Sequence, residues 1–243
     1  MAQPVHLDPA KHNHLKARRA PDLEASVGQQ VMPVTVWEFS RAGNDCPVVF
    51  VKNADTGQFE AVMLLGLTQG ENLMYQDGQW QGTYIPEALR MAPFRMLLDE
   101  ANTEQGVLGL DLDSPLLSDT EGEPLFDDNG NATELVREAG QRLETYYQQR
   151  HATSAFLSLL VEKDLLSQQS LSMEFEGEKV QLDGIYLVKD QKVRDLPDDV
   201  ALDFHRRGFL QAIYAHLMSL SQASRLARLK VTAQRKGGSI LGA

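Results

Sequence analysis

Residues 47–67 read PVVFVKNADTGQFEAVMLLGL, two apolar, β-branched runs separated by the short polar stretch ADTG. A connection of about four residues can close an antiparallel hairpin. It cannot make the crossover of a dozen or more residues that a parallel pair requires. Strands at 47–52 and 58–67 are therefore expected to pair antiparallel. Upstream, VMPVTVWEF alternates apolar and polar residues, which predicts a strand over 34–39. Downstream, Asp77-Gly78 separates ENLMY from QWQGTY and marks another tight turn. Residues 33–84 thus read as an antiparallel β region. It extends to about 115 through a loop-rich stretch with a short strand at 106–112.

The second half changes period. TELVREAGQRLETYYQQRHATSAFLSLLVEKDLL keeps helical spacing at Leu135, Ala139, Leu143, Tyr146 and Tyr147, with Thr133 as a cap, and reads as one or two helices. LSMEFEGEKVQLDGIYLVK predicts a hairpin over 171–188 turning at Glu176-Gly177. The last helical region, from Leu196 to Lys230, is expected to break at Gly208, and GGSILGA to be a loose tail. The expected class is α+β, a β-rich N-terminal half packed with C-terminal helices and one additional hairpin. The expected layout is a single domain. It has an arm (1–30), a β-rich and acidic loop region (31–131), a helical region with the hairpin (132–232) and a tail (233–243).

Charge narrows the function classes. The chain carries a formal net charge of -11, which argues against general nucleic-acid binding, because phosphate contacts need excess Lys and Arg. The charge is also lopsided. No Lys or Arg stands between Arg95 and Arg137, a span with eleven acidic groups, and no acidic residue follows Asp203. Either the acidic segment is a solvated loop balanced within the fold, or it or the basic C-terminal helix docks a protein partner of opposite charge. The polar N-terminus and the lack of any apolar run long enough to cross a bilayer make the cytoplasm the expected compartment. Cys46, the single cysteine, has no disulfide partner in the chain and is expected to be buried.

Chemistry-bearing motifs are sparse. GxSxG, GxxxxGK[ST], GxGxxG and HExxH are missing. Asp127, Asn129, Asn131 and Glu138 sit at calcium-loop spacing, but Ala132 occupies the position where the loop's sharp turn needs glycine, so a turn before a helix accounts better for them. Asp111 and Asp113 are spaced to share one side of a strand, and more simply mark a strand end. His216 fits the edge of a core. No metal and no cofactor is expected, and no catalytic residue stands out.

One stretch is dense with special residues: YIPEALRMAPF, residues 84–94. Pro86 suits the first turn of a helix, and Pro93 pushes Ala92 out of helical backbone, so 86–91 has room for about one turn. Arg90 either pins an aromatic corner or faces a pocket together with Trp80 and Tyr84.

This stretch resembles the Tyr-(Ile/Val)-Pro-x-x-x-Arg-x-x-Pro-Phe element of the bacterial SapC family. HNHLKAR resembles the family's N-terminal start, with His14 at its histidine. VWEF followed by CPVVF, LLGLTQGENLMY with Trp80, and LDLDSPLLSDTEGEPLF are similar to elements that follow in order. Cys46 stands where the family has an aromatic residue. LDGIYLVKDQKVRDLPDD and GFLQAIYAHLMSLSQASRL resemble its C-terminal hairpin and helix. The resemblance implies a non-enzymatic accessory or binding protein in a bacterial surface-layer or uptake-related pathway, and it carries no recognised catalytic residues. The alternative is a small-ligand binder or enzyme. Trp80, Tyr84, Arg90 and His14 are the candidate ligand-binding residues. The name is shared with a peptide-transport permease and a saposin. The chain has neither the apolar spans of the first nor the paired cysteines of the second.

Overall fold

In a computed structural model, which describes residues 3–99, 102–175 and 178–240, the central hairpin forms as its sequence demands. Along the chain come β1 (Val5–His6), α1 (Pro9–His12), β2 (Lys16–Ala17), β3 (Val31–Pro33), α2 (Phe39–Ala42), β4 (Val48–Lys52) and β5 (Phe59–Leu64). Then follow β6 (Tyr75–Gln76), β7 (Gln79–Trp80), α3 (Glu87–Arg90), β8 (Phe94–Asp99), β9 (Asn102–Leu110), β10 (Leu117–Ser118) and β11 (Glu123–Pro124). Helix α4 (Glu134–Glu162), β12 (Leu166–Phe175), β13 (Glu178–Val188), α5 (Asp190–Arg194), α6 (Asp198–Arg206), α7 (Phe209–Ser219) and α8 (Ala223–Ile240) complete the order. The described strand pairs are antiparallel, and with the helices they make the fold α+β. Among the described residues no helix is long and apolar enough to cross a membrane.

The chain divides into two units, each assembled from two segments. One comprises Ser26–Pro86 and Gln149–Ala243. Its sheet runs in the order β12-β13-β4-β5-β3. The β4–β5 turn is set by Asn53, whose side-chain oxygen accepts from the N–H groups of Asp55 (2.9 Å) and Thr56 (3.0 Å). Asp77 (φ 52°) and Gly78 (φ 75°) both take positive φ between β6 and β7, the geometry that a two-residue hairpin loop needs. Gly208 (φ 74°) separates α6 from α7 as expected. Helix α7 lies on the sheet, with its His216 ring 4.6 Å from that of Phe50. Phe39, Phe50 and Phe156 fill the core beside it.

The other unit comprises Met1–Ala25 and Glu87–Gln148. Its β9 is flanked by β1 and β8, and β2 lies between β10 and β11. Leu135, Val136 and Leu143 of α4 close the core over Leu7, Phe94, Leu110, Leu125 and Phe126. Gly122 (φ +107°) leads into β11 where a Cβ would lie 2.6 Å from the Ala17 carbonyl oxygen. Gly122→Ala is expected to cost about 1–3 kcal/mol through strained backbone and this clash, measured as a lower melting temperature. A melting point equal to wild type would show that β2 and β11 can part without penalty.

Several sequence expectations need correction. The strand expected over 34–39 lies instead at Val31–Pro33. The Glu38 carboxylate accepts from Thr35 N (2.7 Å) and Thr35 Oγ1 (3.0 Å), which folds 35–38 into a turn before α2. Local side-chain acceptors here outcompete the alternating pattern. The 1–30 stretch supplies β1 and β2, because the edge of β9 and the gap between β10 and β11 offer it ladder partners. Thr133 precedes α4, but its hydroxyl donates to the carbonyls of Pro124 (2.8 Å) and Leu125 (3.2 Å). Of the one or two helices expected over 133–166, one forms, Glu134–Glu162, of 29 residues. Helix α8 runs to Ile240, into the stretch expected to be loose. The expected turn at Glu176-Gly177 lies outside the described residues.

Candidate functional site

Helix α3 is a single turn, as Pro86 and Pro93 allow. It is anchored by Leu89, which is buried and whose carbonyl accepts from Asp22 N at 2.8 Å. The chain then turns through Met91, whose carbonyl accepts from Phe94 N (2.9 Å), and the Ala92–Pro93 peptide is cis. Pro93 O accepts from Asp111 N (2.9 Å), which ties the corner to the end of β9. This corner, with Arg90 at its start, forms one wall of a cavity of about 250 Å3.

Two further segments complete the walls. Helix α4 contributes Leu135, Glu138, Ala139 and Arg142, whose spacing of three and four residues places them on one helical face. The stretch after β2 contributes Arg18, Arg19, Ala20 and Pro21. Met91, Ala92, Pro93 and Phe94 give the cavity an apolar floor. Four arginines and one glutamate are among its lining residues, a formal excess of three positive charges in a chain whose total is strongly negative.

The arginines are held differently. Arg18 donates to the Pro115 carbonyl (2.6 Å). Arg19 bridges Glu123 (2.6 Å) and Glu138, and these carboxylates, Glu123 foremost, hold its guanidinium charged well above the ordinary arginine range. Arg90 is half-buried. Arg142 is exposed, and among the described residues its side chain makes no ion pair or hydrogen bond. Planar guanidinium forks around an apolar floor bind oxyanions strongly, because each fork offers two parallel N–H donors. The negative total charge of the chain does not cancel this field, since charges more than about 8 Å away are screened at physiological salt.

Trp80 and Tyr84 belong to the other unit, where the Trp80 indole N–H donates to the Tyr84 carbonyl at 2.7 Å. Tyr84 is 7% exposed, its hydroxyl donates to Glu38 Oε1 (2.8 Å), and the Arg41 guanidinium lies 4.8 Å above its ring. His14 is exposed, 3.8 Å from Asp119, and is not among the residues lining the Arg90 cavity. Arg18, Arg19 and Arg142 carry no motif. The available signal was on α4, where Glu138 and Arg142 share a face with the buried Leu135. Charged groups in line with a buried residue mark the rim of a helix's packed face.

The remaining candidates resolve into structure. Asp127 accepts from the N–H groups of Asn129 (2.9 Å) and Asn131 (2.8 Å), and the Asn131 contacts hold its carboxyl below the usual range. It makes the turn before α4. Asp111 faces Arg95 at 3.4 Å. Cys46 is buried, which pushes its thiol far above the range where a thiolate forms at neutral pH. The N-terminal residues contact part of the acidic segment. Glu123 meets Arg19, Asp119 stands beside His14, and Lys16 donates to the Thr120 carbonyl (3.1 Å). A second cavity, of about 340 Å3, lies between Trp37, Phe39 and Phe209 and the small residues Ala152, Ala155, Ala212 and Ala215. Arg207 is its one charged lining residue, with Ser40 and Gln211 as polar ones.

Compared with known protein families, the chain matches the SapC model over residues 7–226. The chain belongs to the SapC family. The match takes in both units and every residue lining the Arg90 cavity. No curated protein and no solved structure matches the chain. Trp80 and Tyr84 do not share a pocket with Arg90. The first residue of the SapC stretch Tyr84 to Phe94 is buried in one unit, and its last five line a cavity of the other.

Proposed function

We propose that this SapC protein is a non-catalytic binding protein that holds a small anionic ligand in the cavity beside Arg90. The convergence of Arg18, Arg19, Arg90 and Arg142 on one apolar-floored cavity carries this reading. A volume of about 250 Å3 lies just below the usual range for small-molecule sites and suits a compact ligand. The role of accessory in a bacterial surface-layer or uptake-related pathway, acting from the cytoplasm, is part of the proposal and rests on the resemblance.

Calorimetric titration of the full chain with acetate, phosphate and pyrophosphate tests the reading. At least one of these anions is expected to bind. Arg142→Ala, an exposed position that should fold normally, is expected to weaken that binding about tenfold, as the loss of one charge-assisted hydrogen bond implies. Arg90→Ala should weaken it at least as much. Absence of binding by all three anions, or equal binding by wild type and both variants, would refute the proposal.

A further inference from the structure

The cavity already contains one anion of its own. Glu138 lines it from α4, and its carboxylate Oε2 accepts a hydrogen bond from Arg19 Nη1. Glu123 takes the neighbouring Arg19 Nε at 2.6 Å from outside the lining. Arg19 is thus engaged on two sides by carboxylates, while Arg142, one turn along α4 from Glu138, carries no such partner among the described residues.

Building on the anion-binding reading, we infer that the ligand is a small phosphoryl compound with at least two negative charges, and that Glu138 acts as a built-in competitor holding Arg19 until that ligand arrives. Two features select a multiply charged ligand. First, the four lining arginines outnumber the two carboxylates, Glu123 and Glu138, that hold Arg19, so a monoanion leaves part of the positive charge uncompensated. Second, the guanidinium groups come from three separate chain segments, at 18–19, at 90 and at 142. A tetrahedral phosphoryl group radiates its oxygens toward several directions and can meet several forks at once. A planar carboxylate presents both oxygens along one edge and satisfies one fork well.

Glu138 sets the affinity rather than the fold. Both partners in the Arg19–Glu138 pair are about half exposed, and exposed pairs add little to stability. Its carboxylate nevertheless repels an incoming anion and competes for Arg19. Removing that charge loosens the Nη1 side of the fork, Glu123 still holding Nε, and lifts the repulsion while leaving the helix face nearly unchanged in shape.

The test is calorimetric titration of the full chain, wild type and Glu138→Gln, with pyrophosphate, phosphate and acetate. Wild type is expected to bind pyrophosphate at least about 100-fold more tightly than acetate. Glu138→Gln should bind pyrophosphate about fivefold more tightly than wild type, with an unchanged melting temperature in the absence of ligand. Should the glutamine variant melt lower, Arg19→Lys supplies the second comparison. It retains the charge but loses the fork, and should weaken pyrophosphate binding. Acetate binding as tightly as pyrophosphate, or pyrophosphate binding no tighter in Glu138→Gln, overturns this inference and leaves the anion site standing. Failure of wild type and variants to bind any of the three anions overturns both.

Discussion

Asp45→Ala is expected to destabilise the protein by about 4 kcal/mol, because one buried carboxylate organises the loop that carries the start of the family stretch. Asp45 is 5% exposed. Its Oδ2 accepts from Thr83 N (2.8 Å) and Tyr84 N (2.7 Å), and its carboxylate also takes the Thr83 hydroxyl. The segment is packed close, since a Cβ on Gly82 would lie 2.8 Å from that same oxygen. Arg225 holds the other side, donating to the carbonyls of Asp45 (2.8 Å) and Gln81 (2.5 Å). Removing the carboxylate strands the Tyr84 N–H in a buried site and leaves the Thr83 donors without it. Hydrogen bonds to a charged group contribute about 1.5–3 kcal/mol each, and two or three are lost. Asp45→Asn retains one acceptor oxygen and should cost about half as much. Urea unfolding of both variants measures this. An alanine variant within about 1 kcal/mol of wild type would show that water or a loop shift replaces the carboxylate.

Acidification should destabilise the protein through His216. Its Nδ1 donates to the Val48 carbonyl (2.7 Å) and its Nε2 accepts from the Val188 N–H (3.1 Å). The partners dictate the tautomer: a carbonyl can only accept and an amide N–H can only donate, so the folded ring is neutral. Burial lowers its pKa from 6.5 to about 4. Between those values the unfolded chain takes up a proton that the folded chain refuses, so stability rises with pH across the window. The contribution is fully present above 6.5 and is lost as pH falls through about 4. The whole window corresponds to about 3 kcal/mol, and the fall from pH 7.5 to 5 to about 2 kcal/mol. His216→Gln can keep a donor and an acceptor but cannot be protonated. The difference between wild-type and variant stability should therefore shrink or reverse on acidification by that amount. Parallel pH profiles for the two proteins would assign the acid sensitivity to other groups.

The reach of the sequence can be judged residue by residue. The β4–β5 hairpin, the Asp77-Gly78 turn and the break at Gly208 were legible because short connections and positive-φ positions admit few alternatives. The α3 turn was legible for the same reason, with a proline at each end. The strand at 34–39 was misread because alternation records only which side chains could face a core. It does not record that Glu38 would fold back onto Thr35. His216 was placed at a core edge and is fully buried, since a histidine's burial depends on whether both ring nitrogens find partners, here Val48 and Val188 from distant strands.

The candidate site divides along the same line. The turn that carries Arg90 was visible from local sequence, because the prolines around it confine the backbone whatever the rest of the chain does. The family was visible too, from the order of short elements along the chain. Arg18, Arg19, Glu138 and Arg142 were ordinary surface charges until the pairing of β2 with β10 and β11, and the packing of α4 on Phe94, drew three separate segments around one cavity. Backbone geometry is encoded within a few residues and can be read there. An electrostatic field is the sum over groups brought together from distant positions, and only the folded chain performs that sum.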